Sequence, residues 1–290
     1  VSTSAMLDRG VERIRRELFD QPVVRARLLT TVGNAYRNLG QFDKARPLLE
    51  DALDLRQEHL GNTHSDVADS YVSLGWLEFH VGHYNQARVL FERAVGVFEQ
   101  ALGRDHEDTL ATMRDLALAH SEAGHHDEGS RLGEAALKRS VKALGERHPA
   151  TLEAMNQLAC NYAALQRYDD ARKLLEEAIP LMRQQFGAEH YNTLTSMYNL
   201  GVSYARLGRY EDAIPVFEQT TRFRQKARAP HQKTMKAMAC LMVAYRSTGK
   251  REKSLALATE AVRLSEETLG DEDRATLSLK GRLMSACNVV

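Results

Sequence analysis

The chain has 290 residues, 43% of them hydrophobic, with 39 basic and 39 acidic side chains and a pI near 7.3. That length exceeds a typical compact domain of about 100–200 residues, and the even charge argues against a general nucleic-acid binder, which carries a basic excess. There is no apolar run of about 18 residues to span a membrane and no secretory leader, and Cys160, Cys240 and Cys287 lack the count and spacing of a disulfide framework or zinc site.

In chain order, an amphipathic helix over about residues 3–19 comes first, inside an N-terminal cap spanning 1–23. A period of 42 residues then takes over. Gly61, Gly103, Gly145 and Gly187 keep that step, as do His64, His106, His148 and His190, and His231 follows one residue short. Three rows of small residues run in parallel, among them Gly33, Gly75, Ala117, Ala159 and Gly201, and Ala45, Ala87, Gly129, Ala171 and Ala213. The period divides the chain into units 24–61, 62–103, 104–145, 146–187, 188–228 and 229–269.

Each unit predicts two helices. In "PATLEAMNQLACNYAAL" the residues Leu152, Met155, Leu158 and Ala159 mark one helical face, Pro149 suits a first turn, and "ARKLLEEAIPLMRQQF" resumes the pattern after a short turn. Gly40, Gly82, Gly124, Gly208 and Gly249 stop the first helix of their units. Gly129 and Gly133 fall inside one second helix, at about 1 kcal/mol each relative to Ala, which predicts the softest unit. Pro180 predicts a kink. The last segment, 270–290, reads as a C-terminal helix over about 274–287 that resembles the first helix of a seventh unit and serves either as its start or as a cap.

The fifth unit shows Met197, Leu200, Gly201, Tyr204, then Gly208, Tyr210, Ala213 and Phe217. This order resembles the tetratricopeptide repeat, and the 42-residue period with its "LGxxH" linker is similar to the kinesin light chain type. The resemblance implies an all-α, right-handed superhelical solenoid of six helix pairs with a capping helix at each end. It also implies a protein-interaction module, with no catalytic residues, cofactor or metal of its own and a cytoplasmic setting. The opening "MLDRGVERIRRELFDQPVVRARLLTTVGNAYRNLG" resembles the start of the repeat region that follows the kinase domain in bacterial serine/threonine kinases. With Val in place of Met at position 1, it suggests a docking or regulatory arm cut from a longer signalling protein.

In tetratricopeptide proteins the first helix of each pair lines a concave groove. Carried onto this chain, that places Arg37, Val72, Trp76, Phe79, Arg114, Asn156, Tyr198 and Arg206 on the groove. Aromatic and arginine side chains dominate binding hot spots, so a peptide or helix of a protein partner is the expected ligand. Asn156 matches the asparagine row of the kinesin light chain type, but Thr30, Val72, Arg114, Tyr198 and Ala239 stand at its place in the other units. Solenoid ends offer faces through which two copies pair. The histidine row reads as a helix-start device, because residues one repeat apart cannot share one zinc ion.

Overall fold

The computed structural model describes residues 3–226 and 231–270, with Leu277 and Lys280. Among the described residues there are thirteen helices and no strand. They are α1 (Thr3–Glu17), α2 (Pro22–Asn38), α3 (Phe42–Leu60), α4 (Ser65–Val81), α5 (Tyr84–Ala101), α6 (Glu107–Glu122) and α7 (His126–Leu144). There follow α8 (Pro149–Ala164), α9 (Tyr168–Phe186), α10 (Tyr191–Arg206), α11 (Tyr210–Lys226), α12 (His231–Ser247) and α13 (Arg251–Leu269). The helix expected over about 274–287, and Cys287 with it, lies outside the described residues. The chain forms two compact units, Val1–Asn161 and Tyr162–Val290.

In the first unit, small residues let paired helices close on one another. A Cβ on Gly33 would meet Leu49 Cδ2 at 2.7 Å, and one on Gly75 would meet Phe91 Cε1 at 2.7 Å. In α6 and α7 the same two positions hold Ala117 and Gly133, the small partner having changed sides. Leu158 Cδ1 of α8 fills the space, 3.1 Å from where a Gly133 Cβ would sit. A Cβ on Gly129 would lie 2.8 Å from the Ala117 carbonyl oxygen. The two glycines expected to soften this helix are buried at close helix contacts, where a Cβ would crowd a neighbour.

The capping helix has the side-chain chemistry of a repeat. Tyr36 of α2 donates to Asp8 of α1 at 2.7 Å, and Lys44 reaches the same carboxylate at 2.8 Å. Burial, then Asp8, pushes the Tyr36 phenol up to about 12. In the second unit Tyr204 donates to Glu176 at 2.5 Å and Tyr245 to Glu218 at 2.5 Å. Asp8, Glu176 and Glu218 are whole multiples of 42 apart, so α1 occupies the place of a second helix.

The histidine row starts the first helices. Nδ1 of His64, His106, His148 and His190 accepts the N–H two residues on, at 3.1, 3.3, 3.3 and 3.2 Å, the bond a side-chain cap supplies to an orphan donor. In the second unit α9 continues through Pro180 as one 19-residue helix. A Cβ on Gly201 would lie 2.6 Å from Phe217 Cε1, repeating the Gly75–Phe91 contact.

Candidate functional site

The first helices of successive repeats in the first unit are joined by a ladder of side chains. Asn34 of α2 donates to Ser73 of α4 at 3.4 Å. The Trp76 indole of α4 donates to Asp115 Oδ2 of α6 at 3.0 Å, and Arg114 of α6 donates to Glu153 of α8 at 2.7 Å. Each rung spans 39 residues, one period less a helical turn.

The structure brings Val72, Trp76 and Phe79 together. All three pack against a core cluster that includes Phe91 and Leu116. The Trp76 ring meets Phe79 edge-on at 5.2 Å and Phe91 at 5.6 Å. Trp76 is thus half-buried, with one edge in the core and its N–H spent on Asp115. Arg114 is held between Glu153 and Asp115. Arg37 is different: it is half-buried, its Nε has no hydrogen-bond partner, and its Nη2 donates only to the neighbouring Asn38 at 3.4 Å. Burial draws its pKa down. Asn156 is half-buried on α8 and already engaged.

Asp115, absent from the sequence expectation, sits at the centre of this face. It is 7% exposed, and burial pushes its carboxyl up to about 6 against the opposing pull of Arg114 and Trp76. The signal for it is the 39-residue step from Trp76, which emerges only once the helices are stacked.

In the second unit Tyr198 is half-buried against Val202, Phe217 and Cys240, its hydroxyl 3.7 Å from Cys240 Sγ. Burial, then Cys240, pushes its phenol up to about 12. The Arg224 guanidinium of α11 lies 5.5 Å from the Tyr198 ring centroid. Arg206 is exposed at the end of α10.

Family models described as tetratricopeptide repeat match residues 24–100, 77–137, 123–184, 161–226 and 234–275. The chain belongs to the tetratricopeptide-repeat family. No curated protein matches it by sequence. Among solved structures it is similar to a putative kinesin light chain from Podosopora anserina with nearly identical repeats, at 26% identity and a TM-score of 0.61 over 71% of this chain and 97% of that one. BtubC (BKLC) from P. vanneervenii matches at 19% identity and a TM-score of 0.61, covering 93% of this chain and 92% of that one. A signal-transduction ATPase with a tetratricopeptide repeat sensor from Pyrococcus horikoshii matches at 16% identity and a TM-score of 0.69, covering 98% of this chain and 47% of that one. The latter two likenesses are to the fold alone.

Tetratricopeptide repeats generally mediate protein–protein interaction. Among the described residues no helix is long and apolar enough to cross a membrane, and no group of three His, Cys, Asp or Glu side chains could hold a metal ion.

Proposed function

We propose that the first-helix face of the first unit, formed by Arg37, Val72, Trp76, Phe79, Arg114 and Asn156, captures an extended peptide or helix of a protein partner. Tyr198 and Arg206 belong to the corresponding face of the second unit. The observation that carries this reading is Arg37, a half-buried guanidinium that no carboxylate pairs with among the described residues, on a face whose other cation, Arg114, is already paired. A partner's carbonyl or carboxylate oxygen would complete its hydrogen bonds. The half-buried Trp76 and Phe79 add aromatic surface in a form that hot spots favour.

Peptides selected from a displayed random library against the chain would test this. Arg37→Ala is expected to weaken the selected peptide by about 2 kcal/mol, near thirtyfold in Kd, with an unchanged melting temperature. An unaltered Kd would remove Arg37 from the site. Trp76→Ala is a poorer probe, because it also opens the Phe91 cluster.

A second reading rests on the opening segment: the array serves as a docking or regulatory arm of a bacterial serine/threonine kinase or similar signalling protein. A gene that encodes no kinase or other signalling domain beside the array would reject it.

A further inference from the structure

Near the end of several first helices stands a tyrosine whose phenol donates to an acid of the preceding second helix. Tyr36 donates to Asp8 of α1, which holds that place, at 2.7 Å. Tyr204 donates to Glu176 and Tyr245 to Glu218, each at 2.5 Å. A cation lies over each ring: Lys44, Arg209 and Lys253, at 5.4, 4.9 and 5.7 Å from the centroids.

In α4 the same position holds Glu78. This carboxylate is buried, with one oxygen on Arg46 of α3 and the other 2.8 Å from His83 Nδ1. Burial would raise it, but the hydrogen bonds with Arg46 and His83 hold it below its ordinary value. Between α3 and α5, beside Glu78, lies a cleft of about 530 Å³ with no aromatic residue in its walls. Ligand pockets are roughly 300–1,000 Å³.

The walls match the surroundings of Tyr36 position by position. Arg46 and Glu50 of α3 correspond to Ser4 and Asp8 of α1, whose carbonyl and carboxylate oxygens accept from Tyr36, and Gln86 of α5 corresponds to Lys44. Leu74, one turn before Glu78, and the exposed Val89 of α5 supply apolar surface. Glu50 makes no hydrogen bond among the described residues, and its ion pair with Arg46 is 3.9 Å long. Arg172, at the place of Arg46 on α9, turns to its own Glu176 at 2.6 Å, whereas Arg46 is drawn across to Glu78. Arg93 also lines the cleft, exposed and without an ion pair among the described residues.

We propose that this cleft takes the tyrosine side chain of a protein partner, its hydroxyl donating to Glu50 and its ring lying against Leu74 and Val89 with Arg93 over one face. The other repeats show what stands at this place, a phenol beside an acid and a cation. A phenol gives Glu50 a donor without adding charge to a cleft whose second carboxylate is already paired. A guanidinium over the ring adds cation–π attraction. The exposed carboxamides of Asn85 and Gln86 can hydrogen-bond the peptide backbone beside the tyrosine. That a protein presents the phenol rests on the interaction role of the family. The cleft shares no residue with the first-helix face, so either site can fail alone.

The test titrates the whole isotope-labelled chain with blocked glycine pentapeptides that carry tyrosine or phenylalanine at the centre, read by the amide resonances of the lining residues. The tyrosine peptide is expected to bind about tenfold tighter, the effect of a hydrogen bond to a charged acceptor. Glu50→Ala, at an exposed position, is expected to leave the melting temperature unchanged and cut that advantage to less than about twofold. Glu78→Tyr, which places a ring in the cleft, is expected to raise the melting temperature and abolish binding of both peptides. Equal affinities, no shift of the lining resonances, or an undiminished advantage in Glu50→Ala would overturn the proposal. So would a Glu78→Tyr chain that binds as before or fails to fold. Para-cresol and the phosphotyrosine peptide are each expected to bind more weakly than the tyrosine peptide. Equal affinity for para-cresol would overturn the protein source, and tighter binding of phosphotyrosine would overturn the donor role of the hydroxyl.

Discussion

Arg56 and Arg224 stand at one repeat position, 168 residues apart, and both are at least 95% buried. In the first unit the next helix supplies Asp66, Asp69 and a serine hydroxyl; in the second it supplies two lysines and an alanine. The repeat specifies where a side chain is buried, while the residues opposite decide whether the buried charge is compensated. Opposite outcomes from the same substitution would sharpen this contrast. Arg56→Met removes the hydrogen bonds from the buried guanidinium to the Ser70 hydroxyl and the Asp66 carbonyl and is expected to cost about 3 kcal/mol in urea unfolding, since hydrogen bonds to charged groups contribute about 1.5–3 kcal/mol each. Arg224→Met removes a buried charge that no carboxylate pairs with among the described residues and is expected to move stability the other way. If both variants lose stability alike, the contrast between the units fails.

The next largest effect belongs to the ladder of the first unit, where a carboxylate is buried among rungs. Asp115 is raised from its ordinary value near 3.8 to about 6 in the folded chain. Below about pH 4 the acid is protonated in both states and costs nothing. Between about pH 4 and 6 the unfolded chain releases its proton first, so this residue's contribution to stability falls as pH rises. Above pH 6 the full penalty, on the order of 2–3 kcal/mol, is in place. Asp115→Asn keeps an acceptor for the Trp76 indole and removes that penalty. The difference in unfolding free energy between variant and parent is expected to favour the variant at pH 7.5 and to shrink toward pH 4.5. A difference that is flat with pH would place the charge elsewhere.

The helices and their pairing were legible in the sequence because a 42-residue period multiplies each weak local signal by the number of repeats. Gly75 and Gly201 alone suggest little; read beside Phe91 and Phe217, sixteen residues on in each case, they mark the closest helix approach. The site was legible only in part. Trp76 and Phe79 were placed on a first helix by their register, but Asp115, which accepts the indole hydrogen bond, is one residue off that register. The burial of Arg224 was missed because it lies on a second helix, whose polar residues read as solvated outer surface. The acid-free stretch from Gln219 to Arg251 was the available sign of its uncompensated charge, hidden by a balanced total of 39 and 39. The glycines at 129 and 133 show the converse, since propensity is read along one helix whereas the close contacts they permit are seen only with its neighbours in place.

The smallest expected effect concerns the turns within helix pairs. In the first unit these pass through Gly40, Gly82 and Gly124, with φ of 73°, 93° and 86°. In the second unit the corresponding residues are Gln166, Gly208 and Gly249, and Gln166 holds φ of 59°. A side chain with a Cβ is strained in this left-handed region, at about 1 kcal/mol, whereas glycine enters it freely. The Gln166 backbone N–H bonds to the Ala163 carbonyl at 3.0 Å, a contact that glycine retains. Glycine also raises the entropy of the unfolded chain, which offsets part of the relief. Gln166→Gly is therefore expected to stabilise the protein by about 0.5 kcal/mol, with the reverse change, Gly82→Gln in the first unit, costing about 1 kcal/mol. Both are measurable by chemical denaturation. A loss of stability in Gln166→Gly would mean that the glutamine side chain, rather than the turn, accounts for its presence where the other pairs have glycine.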